Sequence, residues 1–161
     1  MKNPNVVSLF LFLLLSFSSC EKEQDPIYQP LIGQFESSSA ERQVANEEYV
    51  TVYSFSKSGD LEIERFIRNS ESGNFIRWES FEKAKFRATI STIIVESNEF
   101  YHAPYSITAE PITNKEELQK NNAVRSSYEI HYELRNDGNE FFIPGFQYSD
   151  IYQPDLSYKR I

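Results

Sequence analysis

Residues 128–135 alternate without a slip: Tyr128, Ile130, Tyr132 and Leu134 are apolar, whereas Glu129, His131, Glu133 and Arg135 are polar. A period of two sends one set to a buried sheet face and the other to water, so the segment is a strand of a sheet wet on one side. Asp137 and Gly138 follow, the pair that a tight type I′ turn requires because both central residues need positive φ. A two-residue loop there sets Asn136 opposite Asn139, Arg135 opposite Glu140, Leu134 opposite Phe141 and Tyr132 opposite Ile143. Apolar residues meet apolar ones and opposite charges meet, so turn chemistry and burial pattern agree.

The rest of the chain has the same texture. From Leu31 onward short β-rich runs are broken by Gly, Asn, Asp and Pro, with no sustained helical period, which makes the fold class all-β. The expected strands are 33–43, 49–57, 61–68, 74–81, 86–95, 99–107, 123–135, 139–144 and 156–161. The longest apolar run, 86–95 (FRATISTIIV), reads as a central strand, since such a run at an edge invites aggregation. Eight or nine antiparallel strands suit a small barrel. One short surface helix is expected over 113–120, where Thr113 and Glu116 have capping-box spacing.

A second hairpin joins 49–57 to 61–68. A three-residue loop, Ser58-Gly59-Asp60, is expected to pair Phe55 with Ile63, Tyr53 with Arg65 and Thr51 with Ile67. Alternation puts Arg65 on the same face as Leu61, Ile63 and Ile67. An inward guanidinium must be paired, by the anionic group of a ligand, or else lie near a barrel mouth where it reaches water or stacks on Tyr53. Arg65, Tyr53, Phe55 and Ile63 are therefore the candidate ligand-binding residues.

Catalysis has little to stand on. The chain has one cysteine, Cys20, and no Gly-rich phosphate loop or GxSxG elbow. Glu129, His131 and Glu133 share one strand face at a spacing that metals use, but no fourth ligand is identifiable, so a solvated face is expected. His102 reads as a strand-end residue satisfied by backbone. No catalytic residue, metal or cofactor is expected.

The first 19 residues contain no Asp or Glu, and Lys2 precedes an apolar run over 6–17. This is the pattern of a secretory signal and too short to span a bilayer comfortably. After it the 24 acids outnumber 15 bases, a formal charge of −9. Phosphate would repel such a surface, so nucleic acid is excluded as a main partner. Phe17-Ser18-Ser19-Cys20 resembles a bacterial lipoprotein signal, which implies cleavage before Cys20 and acylation of its thiol and new amino group. Residues 20–30 read as a flexible tether, charged and then proline-bearing. The acids beside Cys20 also resemble an outer-membrane export tag, which implies an outer membrane lipoprotein, either facing the periplasm or displayed on the cell surface.

Leu31-Ile32-Gly33-Gln34-Phe35, a Gly-containing turn after the second strand, and Tyr158-Lys159-Arg160 together resemble a lipocalin-like domain of bacterial lipoproteins over 31–161. The resemblance implies a barrel closed at one end by an aromatic ring beneath an arginine from the last strand, with Phe35 and Arg160 in those positions. Its expected partners are the membrane, through Cys20, and a small apolar or amphipathic molecule held without catalysis. The alternative is a filled barrel serving as the protein-binding or accessory subunit of a surface complex.

Overall fold

The computed structural model describes residues 26–40, 44–104, 110–122, 127–148 and 151–161. The leader, Cys20 and the first part of the tether lie outside the described residues, as do 41–43, 105–107 and 123–126 of the expected strands. The last part of the tether is described: Pro26–Leu31 is a 3-10 turn, with Leu31 fully buried.

The chain is all-β. In order come β1 (Gly33–Ala40), β2 (Glu47–Phe55), β3 (Asp60–Asn69), β4 (Phe75–Ala88), β5 (Thr92–His102), β6 (Gln119–Asn121), β7 (Tyr128–His131), β8 (Glu133–Arg135), β9 (Glu140–Ile143), β10 (Phe146–Tyr148), β11 (Ile151–Gln153) and β12 (Leu156–Arg160). The hydrogen-bonded path runs β6-β5-β4-β3-β2-β1-β12-β9-β8 and does not close on itself; β7 lies off the path, on β5. Strands β10 and β11 form a separate hairpin between β9 and β12. Its base is tight, because a Cβ on Gly145 would collide with the Gln153 carbonyl oxygen.

The Asp137-Gly138 turn has the expected register, with Arg135 opposite Glu140 and Leu134 opposite Phe141. Asp137 and Gly138 have φ of 55° and 83°. The register ends at Tyr132, which does not reach Ile143: its amide donates to Ser91 O at 2.9 Å. The single strand expected over 123–135 is thus divided between two partners, β7 on β5 and β8 on β9. Alternation along a strand reports which face is buried and carries no information about which neighbour supplies the ladder.

Three further expectations are corrected. The β2–β3 loop has three residues, but they are 57–59, so Phe55 pairs with Leu61, Tyr53 with Ile63 and Thr51 with Arg65. Gly59, at φ 77°, supplies the left-handed residue, one position later in the loop than expected. The slip is of two residues, which leaves every side chain on its expected face. Second, the apolar run 86–95 is a hairpin. The Thr89 amide donates to Thr92 O at 2.8 Å, and Thr89 Oγ1 accepts from the Thr92 amide at 3.1 Å. Local threonine bonding thereby turns a run that hydrophobicity alone would keep straight. Residues 82–85, expected to separate two strands, instead continue β4 through a register shift between Lys83 and Lys85.

Third, residues 113–120 form no α-helix. A single 3-10 turn, Lys115–Glu117, is capped by Asn114, whose side chain accepts from the Glu116 amide, and not by Thr113. A helix of two turns cannot recover its nucleation cost, and the exposed edge of β5 offers ladder bonds to Gln119–Asn121 instead.

The core lies on the inner face of the sheet. Phe141 is fully buried and contacts the rings of Phe35, Tyr53, Phe55, Tyr132 and Tyr158, with centroids 5.5 to 5.7 Å away. Leu61, Ile63, Ile93 and Val95 belong to the same cluster, as do Leu31, Phe86 and Ile130. At one end the Arg160 guanidinium covers Phe35, 4.5 Å from the ring centroid. It donates to Ile32 O at 2.7 Å, to Gly138 O at 3.0 and 2.9 Å, and to Pro30 O. The β2–β3, β4–β5 and β8–β9 turns lie at this Arg160 end by antiparallel pairing. The β3–β4 turn lies at the other.

Candidate functional site

Strand β3 carries Leu61, Ile63 and Ile67 inward, all fully buried, and Arg65 stands among them half-buried. Arg65 faces Thr51 on one side and Ser80 on the other, immediately before a register shift in the β3–β4 ladder. Its Nη1 donates to Ser80 Oγ at 3.4 Å, and its charge acts on the nearby Tyr53 hydroxyl. Among the described residues it makes no ion pair.

Two clefts meet Arg65. The larger, about 370 Å³, has Tyr53 and Arg65 together with Tyr128–His131 from β7 and Ile143, Pro144, Gln153 and Leu156 around β9 and β12. It lies where β7 and β9 part company after the partner switch at Tyr132, so the split in the sheet is also the entry to the interior. The second, about 320 Å³, is bordered by Tyr49, Arg65, Glu79, Ser80, Phe100, His102, Ala103 and Pro104. Both are in the size range of small-molecule sites.

Tyrosines and one buried carboxylate surround the guanidinium. Tyr53 and Tyr158 pack with their rings edge to face at 5.0 Å. Tyr128 donates to Glu82 Oε1 at 3.0 Å, and Glu82 is fully buried. Burial pushes the Tyr53 hydroxyl up, with the Arg65 charge opposing, and burial likewise pushes Tyr158 up. Tyr128 is raised by burial first and then by the charge and hydrogen bond of Glu82. All three phenols therefore remain neutral at ordinary pH and keep a proton to donate. The arrangement offers one cationic fork, neutral hydroxyl donors and an apolar wall of Ile130, Ile143 and Leu156. That combination suits an anionic or strongly polar group attached to an apolar body.

Of the four residues expected to bind ligand, Tyr53 and Arg65 come together at the clefts. Phe55 and Ile63 border neither, being packed in the core, with Phe55 against Phe86 at 5.2 Å and against Phe35. Their inward direction is as expected, but neighbouring rings fill the space in front of them. Reasoning from sequence missed Glu82. The signal was present, since Ser80, Glu82, Ala84, Phe86 and Ala88 all point inward, but it falls in the stretch expected to lie between strands. Tyr128 has the inward direction expected of it and is joined to the site by its bond to Glu82.

Each cleft has one histidine at its border, His131 in the larger and His102 in the second. His131 is exposed, with Nδ1 3.4 Å from Thr92 Oγ1, and Glu133 is ion-paired with Arg135. The change of partner at Tyr132 turns Glu133 away from the ladder that holds His131, and among the described residues no metal-ligating cluster occurs. His102 Nδ1 lies 2.8 Å from Ala103 O, the backbone contact expected of it. Among the described residues no helix is long and apolar enough to cross a membrane. No family model matches the chain, and neither a curated protein nor a solved structure is significantly similar to it.

Proposed function

We propose that this chain is a lipid-anchored protein of the outer membrane whose sheet forms a lipocalin-like barrel and holds a small amphipathic molecule, without catalysis, with the molecule's anionic group on Arg65. In the barrel reading β6, β7 and β8 share one course between β5 and β9, giving eight staves with β1 to β5, β9 and β12. Two observations support it: β7 pairs with β5, and β8, one residue later, pairs with β9. Arg160 over the Phe35 ring supports the closed end that the resemblance implies.

The observation that carries the binding reading is Arg65 itself. Arg65 stands beside two clefts without an ion pair among the described residues, and the buried carboxylate on the same sheet face, Glu82, accepts from Tyr128, so a bound anion would stabilise the guanidinium. Native mass spectrometry of the mature protein purified from its own host tests this. A co-purifying small acid is expected in the wild type and absent from Arg65→Leu at unchanged circular dichroism. Truncating one partner of a buried charge pair costs about 2–5 kcal/mol, roughly 30-fold or more in affinity. A wild type that carries no small molecule and binds none from a host lipid and metabolite extract refutes the reading.

The second reading is an accessory subunit of a surface complex. It is favoured by the tightly packed aromatic core around Phe141 at the Arg160 end, which fills the space in front of Phe55 and Ile63. Co-purification of a stoichiometric envelope protein, with no small molecule, would select it.

A further inference from the structure

We propose that the Arg160 end of the sheet is a membrane-facing surface, seated on an anionic phospholipid bilayer through the Ile90 turn. This rests on the proposed acylation of Cys20 and adds to it which face meets the lipid. The covalent geometry is decisive between the two ends. Arg160 fastens the entering chain here by its bonds to Pro30 O and Ile32 O. Only residues 20–25 then separate a lipid on Cys20 from the 3-10 turn at Pro26, and six residues span at most about 20 Å. Strand β5, with 11 residues, is about 35 Å long at the usual rise. The far end of the sheet therefore cannot reach the bilayer ahead of this one.

Ile90 distinguishes this end from the flanks. It is 83% exposed, the largest exposure among the big apolar residues described, and it stands at the tip of the β4–β5 turn. The turn is braced: Thr89 bonds Thr92 on both sides, and the Tyr132 hydroxyl donates to Thr89 O at 2.8 Å. A short, braced turn holding out an isoleucine presents apolar area that costs free energy in water and recovers it in lipid. Ile161, also exposed, lies at the same end, where its amide donates to Gln34 O.

Charge agrees. Near Ile90 the half-exposed acids Asp60 and Glu96 are matched by Lys85 and Arg87, and the same end carries the exposed acid Asp137 together with the exposed bases Lys57 and Lys159. The half remote from Arg160 carries the exposed acids Glu71 and Glu110, the latter two residues before Ile112, whose carbonyl accepts from the Trp78 amide. Against an anionic surface the orientation of least repulsion turns that half outward, and the Arg65 clefts then admit a ligand without competition from the membrane.

The test uses the full mature lipidated chain in vesicles of phosphatidylethanolamine and phosphatidylglycerol. Ile90→Cys, and Ser72→Cys in the opposite turn, are labelled with a polarity-sensitive dye, and a nitroxide lipid serves as quencher. The thiol of an acylated Cys20 does not react. Quenching several-fold stronger at position 90 than at 72 is expected. Vesicle-bound protein with equal quenching at both positions, or stronger quenching at 72, overturns the orientation and leaves the anchor standing. Protein that does not float with the vesicles at all overturns the anchor, and the orientation falls with it.

Discussion

Replacing Arg160 by alanine is expected to destabilise the domain by about 3 kcal/mol, although the residue is only half-buried and lies one position from the end of the chain. The figure comes from its contacts. The guanidinium donates to the carbonyls of Ile32 and Gly138 at 2.7 to 3.0 Å, to Pro30 O, and covers the Phe35 ring. A hydrogen bond from a charged donor contributes about 1.5–3 kcal/mol, and water replaces part of that at a half-exposed site. Two acceptors at the low end, with about 0.5–1 kcal/mol for the cation over the ring, give about 3 to 4. Against a typical total of about 5–15 kcal/mol this is a large share. Urea unfolding followed by Trp78 fluorescence reads it: with a slope of about 1.5 kcal/mol per molar, the midpoint falls by about 2 M. Arg160→Lys is expected to recover less than half, since an ammonium cannot bridge three segments with a planar fork. Gly33→Ala adds a second arm. Its new Cβ would lie 2.5 Å from Arg160 Nη1, at a backbone φ of 136°, so its cost is expected to shrink, without vanishing, in the Arg160→Ala background. A midpoint for Arg160→Ala within about 0.5 kcal/mol of wild type would refute the assignment of Arg160 as the clasp between the entering chain, the Gly138 turn and the last strand.

Other expectations follow from the same packing. Phe141→Ala should cost about 3–5 kcal/mol in the same assay, as the ring at the centre of the aromatic cluster has no space to collapse into. Tyr53, Tyr128 and Tyr158 should resist ionisation, because burial raises all three. The native state then holds protons that an unfolded chain releases above about pH 10. Their contribution to stability is complete below that pH and declines as pH rises, and tyrosinate absorbance should show these three titrating only with unfolding. Cys20→Ser should release the protein from membranes with its circular dichroism intact; persistence in a detergent-extractable membrane fraction would count against acylation. Leu134→Asp should be far more damaging than Glu133→Lys, since Leu134 packs on the core and Glu133 is exposed, and equal tolerance would mean the faces of β8 are misassigned.

Much of the site was legible before any tertiary contact was known. Inward placement of Arg65 follows from Leu61, Ile63 and Ile67 around it, and survives a two-residue error in hairpin register because faces repeat every two residues. The Asp137-Gly138 register was legible for a similar reason as far as Arg135–Glu140 and Leu134–Phe141, where two positive-φ positions, a pair of opposite charges and an apolar pair agree, but not at Tyr132. Glu82 was not, because Lys83 and Lys85 beside it look like the edge of a loop, and only a neighbouring strand keeps such a segment extended. The turn at Ile90 was hidden too. Hydrophobicity measures what a segment gains by burial, and Thr89 decides its course through local bonds to Ser91 and Thr92.

Amino-acid order alone dictated the all-β class, the inner and outer faces of the strands and the tight turns, since these depend on side-chain period and on φ values that few residues adopt. Which strand borders which was decided only in three dimensions. Tyr132 shows why: β7 and β8 are chemically one alternating strand, and the change of neighbour between them comes from where β5 and β9 end. That choice parts β7 from β9 and opens the cleft beside Arg65. Ladder bonds are made by backbone groups that every residue shares, so partner choice leaves almost no trace in the identities of the residues that make it.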